Sequence, residues 1–406
     1  MKSSSTPSPL SPVRAPDLES VPEEVLKGIR VLVVTSGHEV TDSRVYAREA
    51  RSIHALGADV TLVGKLERGG ADGVNLVLVP APASRLVRFL WQPWRCLWKA
   101  RREEADIVHF HDAEMLATLP LAKLWWSKSK FVYDVHEDFA NLMLVRDWLP
   151  GFVKPAVRFV TEALEKALAG LADGIVGVTP PLAEKFRHRE KAVIYNFVPG
   201  EFFARAAEAS REPKRREFDL VHLGTLSSRR ALFLAETLTE FHRLRPNAQS
   251  LVLGASPDIV SLLKERVPRG CTLMGRVPYA EIPGFLGNAR VGLDVHPWLG
   301  PHLQVALPVK VCEYMAAGCG VVSSSMPVLD KILEEAGADA KAATMIQGGT
   351  PADYALAVTR MLEAIEAGAK PGLTLQRLAR RRMNWDTESK KLARFYLKLL
   401  GRACAA

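Results

Sequence analysis

A lysine and a glutamate lie near the start of a predicted helix in the segment 308–324. Lys310 and Glu313 are three residues apart, so a helix places them on one face. A carboxylate there accepts two hydrogen bonds from a ribose diol, while the lysine and the helix N-terminus attract phosphate. This combination suits a nucleotide-sugar site. The alternative interpretation is a buried helix–strand unit in which Glu313 only favours the helix dipole.

Apolar, β-branched runs alternate with helical patterns along the chain, which predicts parallel sheets built from βαβ units. A chain of 406 residues is long enough for two domains. Ligands of such sheets bind at the carboxyl ends of the strands, so we expect the site in the cleft between the domains. We predict a disordered leader at 1–28, a Rossmann-like domain at 29–204, a linker at 205–217, a second Rossmann-like domain at 218–383 and a C-terminal helix at 384–406.

The motif Pro-x-Lys-x-x-Glu-Tyr-Met-Ala-Ala-Gly at 308–318, followed by Val-Val at 321–322, resembles the donor-site signature of the retaining glycosyltransferases of family 4. The resemblance implies the GT-B fold: an α/β protein whose two Rossmann-like domains, each with a parallel sheet, face each other across a cleft. It also implies that the last helix returns to the N-terminal domain. The family usually has two glutamates eight positions apart, but Val305 stands at the first position here. Gln304, or else Gly300 or His302, would then have to hold the sugar hydroxyls.

The resemblance implies retaining, metal-independent transfer of a sugar from a nucleotide-diphosphate sugar, without a cofactor. Lys310 would stabilise the departing diphosphate and Glu313 would hold the ribose. A glycine and hydroxyl groups lead into arginines after the strand 220–223, a pattern that grips a diphosphate. We therefore expect Gly224, Arg229 and Arg230 at this site, with Arg229 as the catalytic cation. Further donor contacts are expected from the backbone of Arg276 and Val277, which would lie beneath the base.

Histidines and carboxylates follow two predicted strands, in the sequences His-Phe-His-Asp at 109–112 and Asp-Val-His-Glu-Asp at 134–138. By resemblance, His111 would contact the reacting centre, and His136 and Glu137 would line the acceptor pocket. For His136 a capping role in a loop is the alternative. These residue types suit a metal ion, but they lack a close ligand motif, so we expect no metal.

The loop after the first strand contributes two more candidates. Gly37 permits close approach of the backbone to a donor. Arg44 lies in the first turn of the next helix, where the helix dipole disfavours a cation, which hints at an anionic acceptor.

The segment 85–102 combines six cations with three tryptophans and contains no acidic residue. Such a composition is typical of interfacial helices on anionic lipid. The alternative is that the tryptophans pack on the sheet and the cations are simply solvated. We predict membrane contacts from Arg88, Trp91, Trp94, Arg95 and Trp98, and with them a lipid-linked acceptor in surface polysaccharide or glycolipid synthesis.

The net charge of +9 favours an anionic partner: nucleic acid, acidic lipid or a phosphorylated substrate. No nucleic-acid-binding module accompanies the charge, so we expect no nucleic acid. The five scattered cysteines and the lack of an apolar signal segment or membrane span predict a cytoplasmic protein, peripheral at the inner face of the membrane. Alternatives to a transferase are a non-catalytic nucleotide-sugar-binding subunit, supported by Val305, and a sugar-nucleotide 2-epimerase. A dehydrogenase is disfavoured because the dinucleotide fingerprint is absent.

Overall fold

The computed structural model describes residues 24–65, 73–146, 148–210, 216–298 and 300–402. It contains two parallel β-sheets, one in each half of the chain, and so confirms the predicted α/β fold with two Rossmann-like halves. The predicted disordered leader lies almost wholly outside the described residues. Among the described helices, none combines the length and apolar character that crossing a membrane requires.

The first sheet has seven parallel strands in the order β3-β2-β1-β4-β5-β6-β7. Strand β1, in the interior of this sheet, is buried on both faces, which explains its run of valines and leucine. Leu32 and Val34 face one core, and Val31 and Val33 face the other. The strands are β1 Arg30–Glu39, β2 Asp59–Lys65, β3 Asn75–Leu78, β4 Ile107–Phe110, β5 Lys130–Val135, β6 Gly174–Gly177 and β7 Lys191–Val193.

Helices cover both faces of this sheet. A short π-helical segment, Val45–Ala50, leads directly into α1. The helices of this half are α1 Arg51–Ala55, α2 Arg85–Leu90, α3 Gln92–Ala100, α4 Leu119–Trp125, α5 Phe139–Leu142, α6 Lys154–Ala169 and α7 Pro180–Glu184.

The second sheet has six parallel strands in the order β10-β9-β8-β11-β12-β13. Its strands are β8 Phe218–Leu223, β9 Ser250–Leu253, β10 Cys271–Met274, β11 Ala289–Asp294, β12 Gly320–Ser324 and β13 Ala343–Ile346. The helices that follow the crossover from the first half are α8 Gly200–Ala209, α9 Ser228–Leu244, α10 Pro257–Leu263, α11 Ile282–Gly287, α12 Pro301–Gln304, α13 Val309–Ala316, α14 Pro327–Ala336, α15 Pro351–Glu366, α16 Pro371–Arg382 and α17 Trp385–Leu399.

The motif at 308–318 forms α13, which ends at Gly318 with a positive φ of 71°. Only glycine adopts this conformation without strain, so the helix stops there and β12 begins two residues later. The buried helix is tied to β11 and β12, and its first turn faces the first half.

Helix α8 occupies part of the segment predicted as a linker. Phe202, Phe203 and Ala206 are buried in the core of the second half, together with Val221 and Leu223. The chain therefore crosses between the halves before residue 200, earlier than the predicted boundary at 204. The polar residues of 205–217 conceal this apolar face, because the face needs only one residue in every three or four.

Helix α17 packs on the first sheet, far from the preceding helix α16. Leu392, Ala393 and Tyr396 lie in the core that contains Val31 and Val33. The indole of Trp385 donates to the backbone oxygen of Arg48 at 3.1 Å. The last described helix therefore completes the first half of the molecule.

Candidate functional site

A cavity of about 350 Å³ lies between the two halves. The segment 306–309, which leads into α13, forms its wall on the second half. We call it the central cavity; its polar lining comes from the ends of β1, β4 and β5 and from nearby loops, with His38, Arg44, Arg88, His111, Asp112, Glu114, His136, Glu137 and Arg146.

A cationic cluster forms on the second half where β8 and β11 end. Lys310 lies 3.3 Å from the carboxylate of Asp294. Gly224 has a positive φ of 105°, and a Cβ built on it would lie 3.4 Å from Lys310 Nζ. Arg230 donates to the carbonyl of Val295 at 3.0 Å and lies 3.5 Å from Asp294. The structure thus brings the predicted Gly224, Arg230 and Lys310 together at the N-terminus of α9, a favourable place for phosphate.

Asp294 balances the charge of this cluster. Burial opposes its ionisation, but Lys310 and His296 outweigh burial and hold the pKa of Asp294 well below its usual range. Burial lowers the pKa of Lys310, and Asp294 partly offsets this effect. One buried carboxylate therefore faces two cations, Lys310 and Arg230, so the three groups together carry a net positive charge.

Tyr314 positions the cluster from within α13. Its hydroxyl accepts a hydrogen bond from the backbone N–H of Leu223 at 2.7 Å and donates to the carbonyl of Leu293 at 3.1 Å. The ends of β8 and β11 are thereby tied to the helix that carries Lys310. Tyr314 was not among the predicted site residues, although its place four residues after Lys310 in a predicted helix is a usable signal.

Glu313 is buried, and its neighbours come from both halves. Its carboxylate lies 3.6 Å from Arg48 of the first half. Arg48 is fully buried and also donates to the Tyr279 hydroxyl at 2.8 Å. Burial raises the pKa of Glu313, and Arg48 opposes the rise. The predicted contact with a ribose stays a prediction, and a ribose would share this carboxylate with Arg48.

Across the cleft, two stacked histidines lie between two buried carboxylates. The rings of His109 and His111 are 4.6 Å apart. His111 Nε2 lies 3.5 Å from Glu49, and His111 Nδ1 lies 3.6 Å from Asp134. His111 also shares a hydrogen bond of 2.9 Å with His136. The structure places the predicted His111 and His136 together in the wall of the central cavity.

The two stacked histidines, His109 and His111, are held in their neutral form. Burial lowers the pKa of His109 to about 4, and it lowers the pKa of His111 well below the usual range with help from His109 and His136. Burial opposes the ionisation of Asp134, but Arg44 and His136 outweigh it and keep its pKa low. A neutral His111 adds no positive charge to the cleft, and its two ring nitrogens face His136 and Glu49.

Arg44 is part of this buried network and not a free surface cation. Its guanidinium lies 2.8 Å from Glu49 and 2.8 Å from Asp134, and its side chain is 4 % exposed. The helix-dipole argument predicted an anionic acceptor as its partner. The two internal carboxylates already neutralise its charge, which removes the physical reason for that contact.

The same four side chains, Glu49, His109, His111 and Asp134, offer ligand atoms that all lie within 4.8 Å of one another. Their types suit a divalent metal ion. However, Arg44 is close to both carboxylates and supplies the positive charge that an ion would bring. The independence from metals is therefore a prediction that needs a direct test.

Residues 35–38 form an irregular loop within the end of β1, where the strand pairing shifts register. Asp112, which was not among the predicted site residues, anchors this loop. One oxygen of Asp112 accepts hydrogen bonds from the Thr35 hydroxyl at 2.6 Å and from the backbone N–H groups of Ser36 and Gly37 at 2.7 and 3.0 Å. His38 lies 3.0 Å from the other oxygen. The close approach predicted for Gly37 is thus an approach to Asp112, and its N–H is not free for a donor.

Four predicted residues lie outside these clusters or at their edge. Gln304 is exposed on α12 and does not line the central cavity, whereas His302, two residues earlier, lines a second cavity between Arg146 of the first half and Arg229 of the second. Arg276 is exposed after β10, and Val277 packs against the second core. Glu137 is exposed at the rim of the central cavity. The structure thus disfavours Gln304 as the substitute for the missing glutamate.

The tryptophans of α3 do not pack on the sheet. Trp91, Trp94 and Trp98 are 65 %, 40 % and 57 % exposed, and Arg95 is exposed beside them. Arg88 was predicted to contact the membrane with these tryptophans, but it lies 3.5 Å from Glu114 and lines the central cavity. Its place in α2, separated from α3 at Trp91, turns it toward the cleft.

Two family models match the chain. Residues 43–202 match Glycosyltransferase Family 4, and residues 217–364 match Glycosyl transferases group 1. Together the two matches span most of the chain, with residues 203–216 between them. No match was found among curated proteins.

Solved glycosyltransferases share the fold at low sequence identity. HepE from Anabaena, in complex with UDP-glucose, is 13% identical, with a TM-score of 0.65, covering 90% of this chain and 98% of its own. Sucrose-phosphate synthase from Thermosynechococcus elongatus is 14% identical, with a TM-score of 0.66 and coverage of 92% and 99%. The α,α-trehalose 6-phosphate synthase from Burkholderia multivorans is 11% identical, with a TM-score of 0.63 and coverage of 92% and 97%. At such identities the likeness shows the fold.

Proposed function

As the chain belongs to the family 4 glycosyltransferases, we propose that it is a retaining, metal-independent enzyme that transfers a sugar from a nucleotide-diphosphate sugar to a lipid-linked acceptor. The observation that carries the proposal is the cluster of Gly224, Arg230 and Lys310 at the start of α9. It faces the half of the molecule that holds His111.

The chemistry of the cluster fits a departing diphosphate. A nucleoside diphosphate leaves as an anion, and fixed cations in a water-poor site lower the barrier to its departure. Lys310 and Arg230 are held in place by Asp294, so they need no reorganisation when charge develops. We assign no protein nucleophile for the retaining step. His111, neutral and buried, serves to orient the donor sugar or the acceptor hydroxyl.

Metal independence rests on the same reasoning. Three positively charged side chains, Arg229, Arg230 and Lys310, belong to the diphosphate side of the cleft, where other enzymes use a divalent ion. We expect full activity in the presence of EDTA after passage over a chelating resin. Loss of activity that added Mg²⁺ or Mn²⁺ restores would overturn this part of the proposal.

The lipid-linked acceptor is supported by the exposed face of α3. Trp91, Trp94 and Trp98 are spaced to lie on one side of a helix, and Arg95 adds positive charge. Exposed aromatic residues next to cations suit an anionic bilayer surface. Such contact would bring the central cavity close to a lipid-borne acceptor.

A non-catalytic subunit that only binds a nucleotide sugar is a second candidate. Two observations favour it: Val305 replaces the first glutamate of the family motif, and Glu313 is bound to Arg48. A 2-epimerase is a third candidate from the sequence; it would convert the donor without an acceptor.

The test begins with a thermal-shift screen of nucleotide sugars, because donor binding stabilises the folded state. HepE binds UDP-glucose, so UDP-sugars come first. Lys310→Ala should weaken donor binding about tenfold or more, since it removes a charged hydrogen bond. The exposed Lys264→Ala is the matched control. Donor binding that is unaffected by Lys310→Ala would contradict the assignment.

Activity assays then separate the candidates. Transfer to an acceptor, with the anomeric configuration of the product read by proton NMR, supports the retaining transferase. Donor binding without transfer or hydrolysis favours the subunit, and conversion of the donor alone favours the epimerase.

A further inference from the structure

A second cavity lies beside the cationic cluster, again between the halves. Arg146 and Lys154 line it from the first half, and Arg229 and Arg230 line it from the second. Among the described residues, its lining contains no carboxylate. We call it the basic cavity; its other lining residues are Leu142, Val145, Thr225, Leu226, Ser227, Ser228, His296, Pro297, Trp298, His302 and Leu303.

The cations of the basic cavity differ in whether their charge is already compensated. Arg230 shares Asp294 with Lys310. Arg229 stacks on Trp298, with its guanidinium carbon 3.4 Å from the ring centroid. In the described part of the chain, neither Arg146 nor Lys154 has a carboxylate within ion-pair distance. Within the described residues, about two positive charges on the first-half side of the cavity therefore have no carboxylate partner.

Two histidines of the basic cavity also have ring nitrogens that a ligand could hydrogen bond. The Nδ1 atoms of His296 and His302 are buried and have no hydrogen-bond partner among the described residues. The side chain of His296 is only 10 % exposed. Helix α6 begins at Lys154 and α9 begins at Ser228, so the positive ends of two long helices add to the field.

We propose that the basic cavity binds a phosphate group of the acceptor, and that Arg146 and Lys154 select for it. The inference rests on the proposed function, because the donor diphosphate is assigned to Lys310, Arg230 and Arg229. A phosphate monoester carries about −1.5 to −2 charges at neutral pH, which matches the two uncompensated cations. The acceptor is then a phosphorylated compound, either a soluble sugar phosphate or a lipid phosphate.

The position of the cations fits this assignment. Arg146 lines both the basic cavity and the central cavity. A molecule with its phosphate at Arg146 and Lys154 can therefore extend toward His111, where the transfer is proposed. The donor diphosphate approaches from the opposite half.

The experiment uses inorganic phosphate as the probe and measures its binding by phosphorus NMR and calorimetry. The full chain is first saturated with the nucleoside diphosphate found in the donor screen, so that added phosphate reports only on the second site. Wild-type protein should bind phosphate, and the double variant Arg146→Gln/Lys154→Gln should weaken that binding at least tenfold. Its affinity for the nucleoside diphosphate should change less than twofold, and Lys264→Gln should change neither.

Two results would overturn the inference. One is the absence of phosphate binding to the saturated wild-type protein. The other is a matching loss of nucleoside diphosphate affinity in the double variant, which would assign these cations to the donor. Failure of the proposed function is a separate result, in which no nucleotide binds the wild-type protein at all.

Competition identifies the source of the phosphate. Displacement of inorganic phosphate by a hexose 6-phosphate points to a soluble acceptor, and displacement by farnesyl phosphate points to a lipid acceptor. If neither compound competes better than sulfate does, the cavity binds anions without selecting an acceptor and the inference fails.

Discussion

Asp112 and His38 form an ion pair that holds the irregular loop at the end of β1, at the rim of the central cavity. Burial opposes the ionisation of Asp112, but its hydrogen bonds with His38 and Thr35 keep its pKa well below the usual range. Burial also lowers the pKa of His38, yet Asp112 outweighs this effect and raises it to about 9. His38 is therefore positively charged at neutral pH.

This pair predicts a pH-dependent contribution to stability. The pKa of His38 is raised above its unfolded value of about 6.5, so its contribution is complete below pH 6.5 and is lost as pH rises through 9. His38→Gln should lower the free energy of unfolding on the order of 1 kcal/mol at pH 6.5, after discounting for its exposure, and by much less at pH 10. Urea unfolding at both pH values measures the difference.

The exposed His54, which is far along the chain from Asp112 and not paired with it, provides the control as His54→Gln. A His38→Gln effect that does not change between pH 6.5 and pH 10 would show that the ion pair does not stabilise the loop.

At the residue scale, the sequence predicted the groups on the donor side better than the buried network. Lys310, Gly224 and Arg230 follow strand ends or open helices, so local rules find them. Glu49 and Asp112 were not among the predicted site residues, because their contacts with His111 and Thr35 join segments that are distant in sequence. Arg44 and Asp134, for example, are 90 residues apart, and only the fold brings them into contact.

At the scale of elements, α3 presents two different faces. Cys96 and Leu97 are buried against the first sheet, while the three tryptophans face outward. Trp98 contacts Trp125 of α4 with ring centroids 6.0 Å apart, so the apolar surface continues onto a second helix. Large exposed aromatic side chains next to cations indicate an interaction surface.

We predict that this surface binds anionic membranes. The triple variant Trp91→Ala/Trp94→Ala/Trp98→Ala should reduce cosedimentation with liposomes containing anionic lipid at least fivefold at low salt. The double variant Leu356→Ala/Leu373→Ala removes exposed apolar side chains from the second half and should leave binding unchanged. Equal binding of the triple variant and the wild type, or no binding of either, would contradict the membrane contact.

The alternation of strands and helices was predictable because buried parallel strands are continuous apolar runs that end in polar residues or glycine. The linker was not, because α8 buries Phe202 and Phe203 directly before 205–217, a stretch that is mostly polar. Two aromatic residues at such a boundary do not show which of the two cores receives them.

At the scale of the molecule, Arg48 connects the two halves. It lies in the first half, donates to the carbonyl of Phe197 at 2.8 Å, and reaches Tyr279 and Glu313 of the second half. Its side chain is fully buried, so no water can replace these contacts without a rearrangement. Arg48 is thus a direct link between the first half and the helix of the donor motif.

We predict a strong coupling between Arg48 and Glu313. Arg48→Met should lower the free energy of unfolding by about 3 kcal/mol, because it leaves a buried carboxylate without its cation. In the double variant Arg48→Met/Glu313→Gln the loss should be smaller than the sum of the single losses. Chemical denaturation of the four proteins measures this double-mutant cycle, and additive losses would show that the two side chains do not interact.

Helix α17 has a consequence for the order in which the two halves fold during synthesis. The ribosome releases the first sheet long before Leu392 and Tyr396 exist, yet both belong to its core. The second half, whose core needs no later segment than α16, can close while that first core is still incomplete. During translation we therefore expect the domain synthesised second to fold first, and the domain synthesised first to mature only after the last helix has left the exit tunnel.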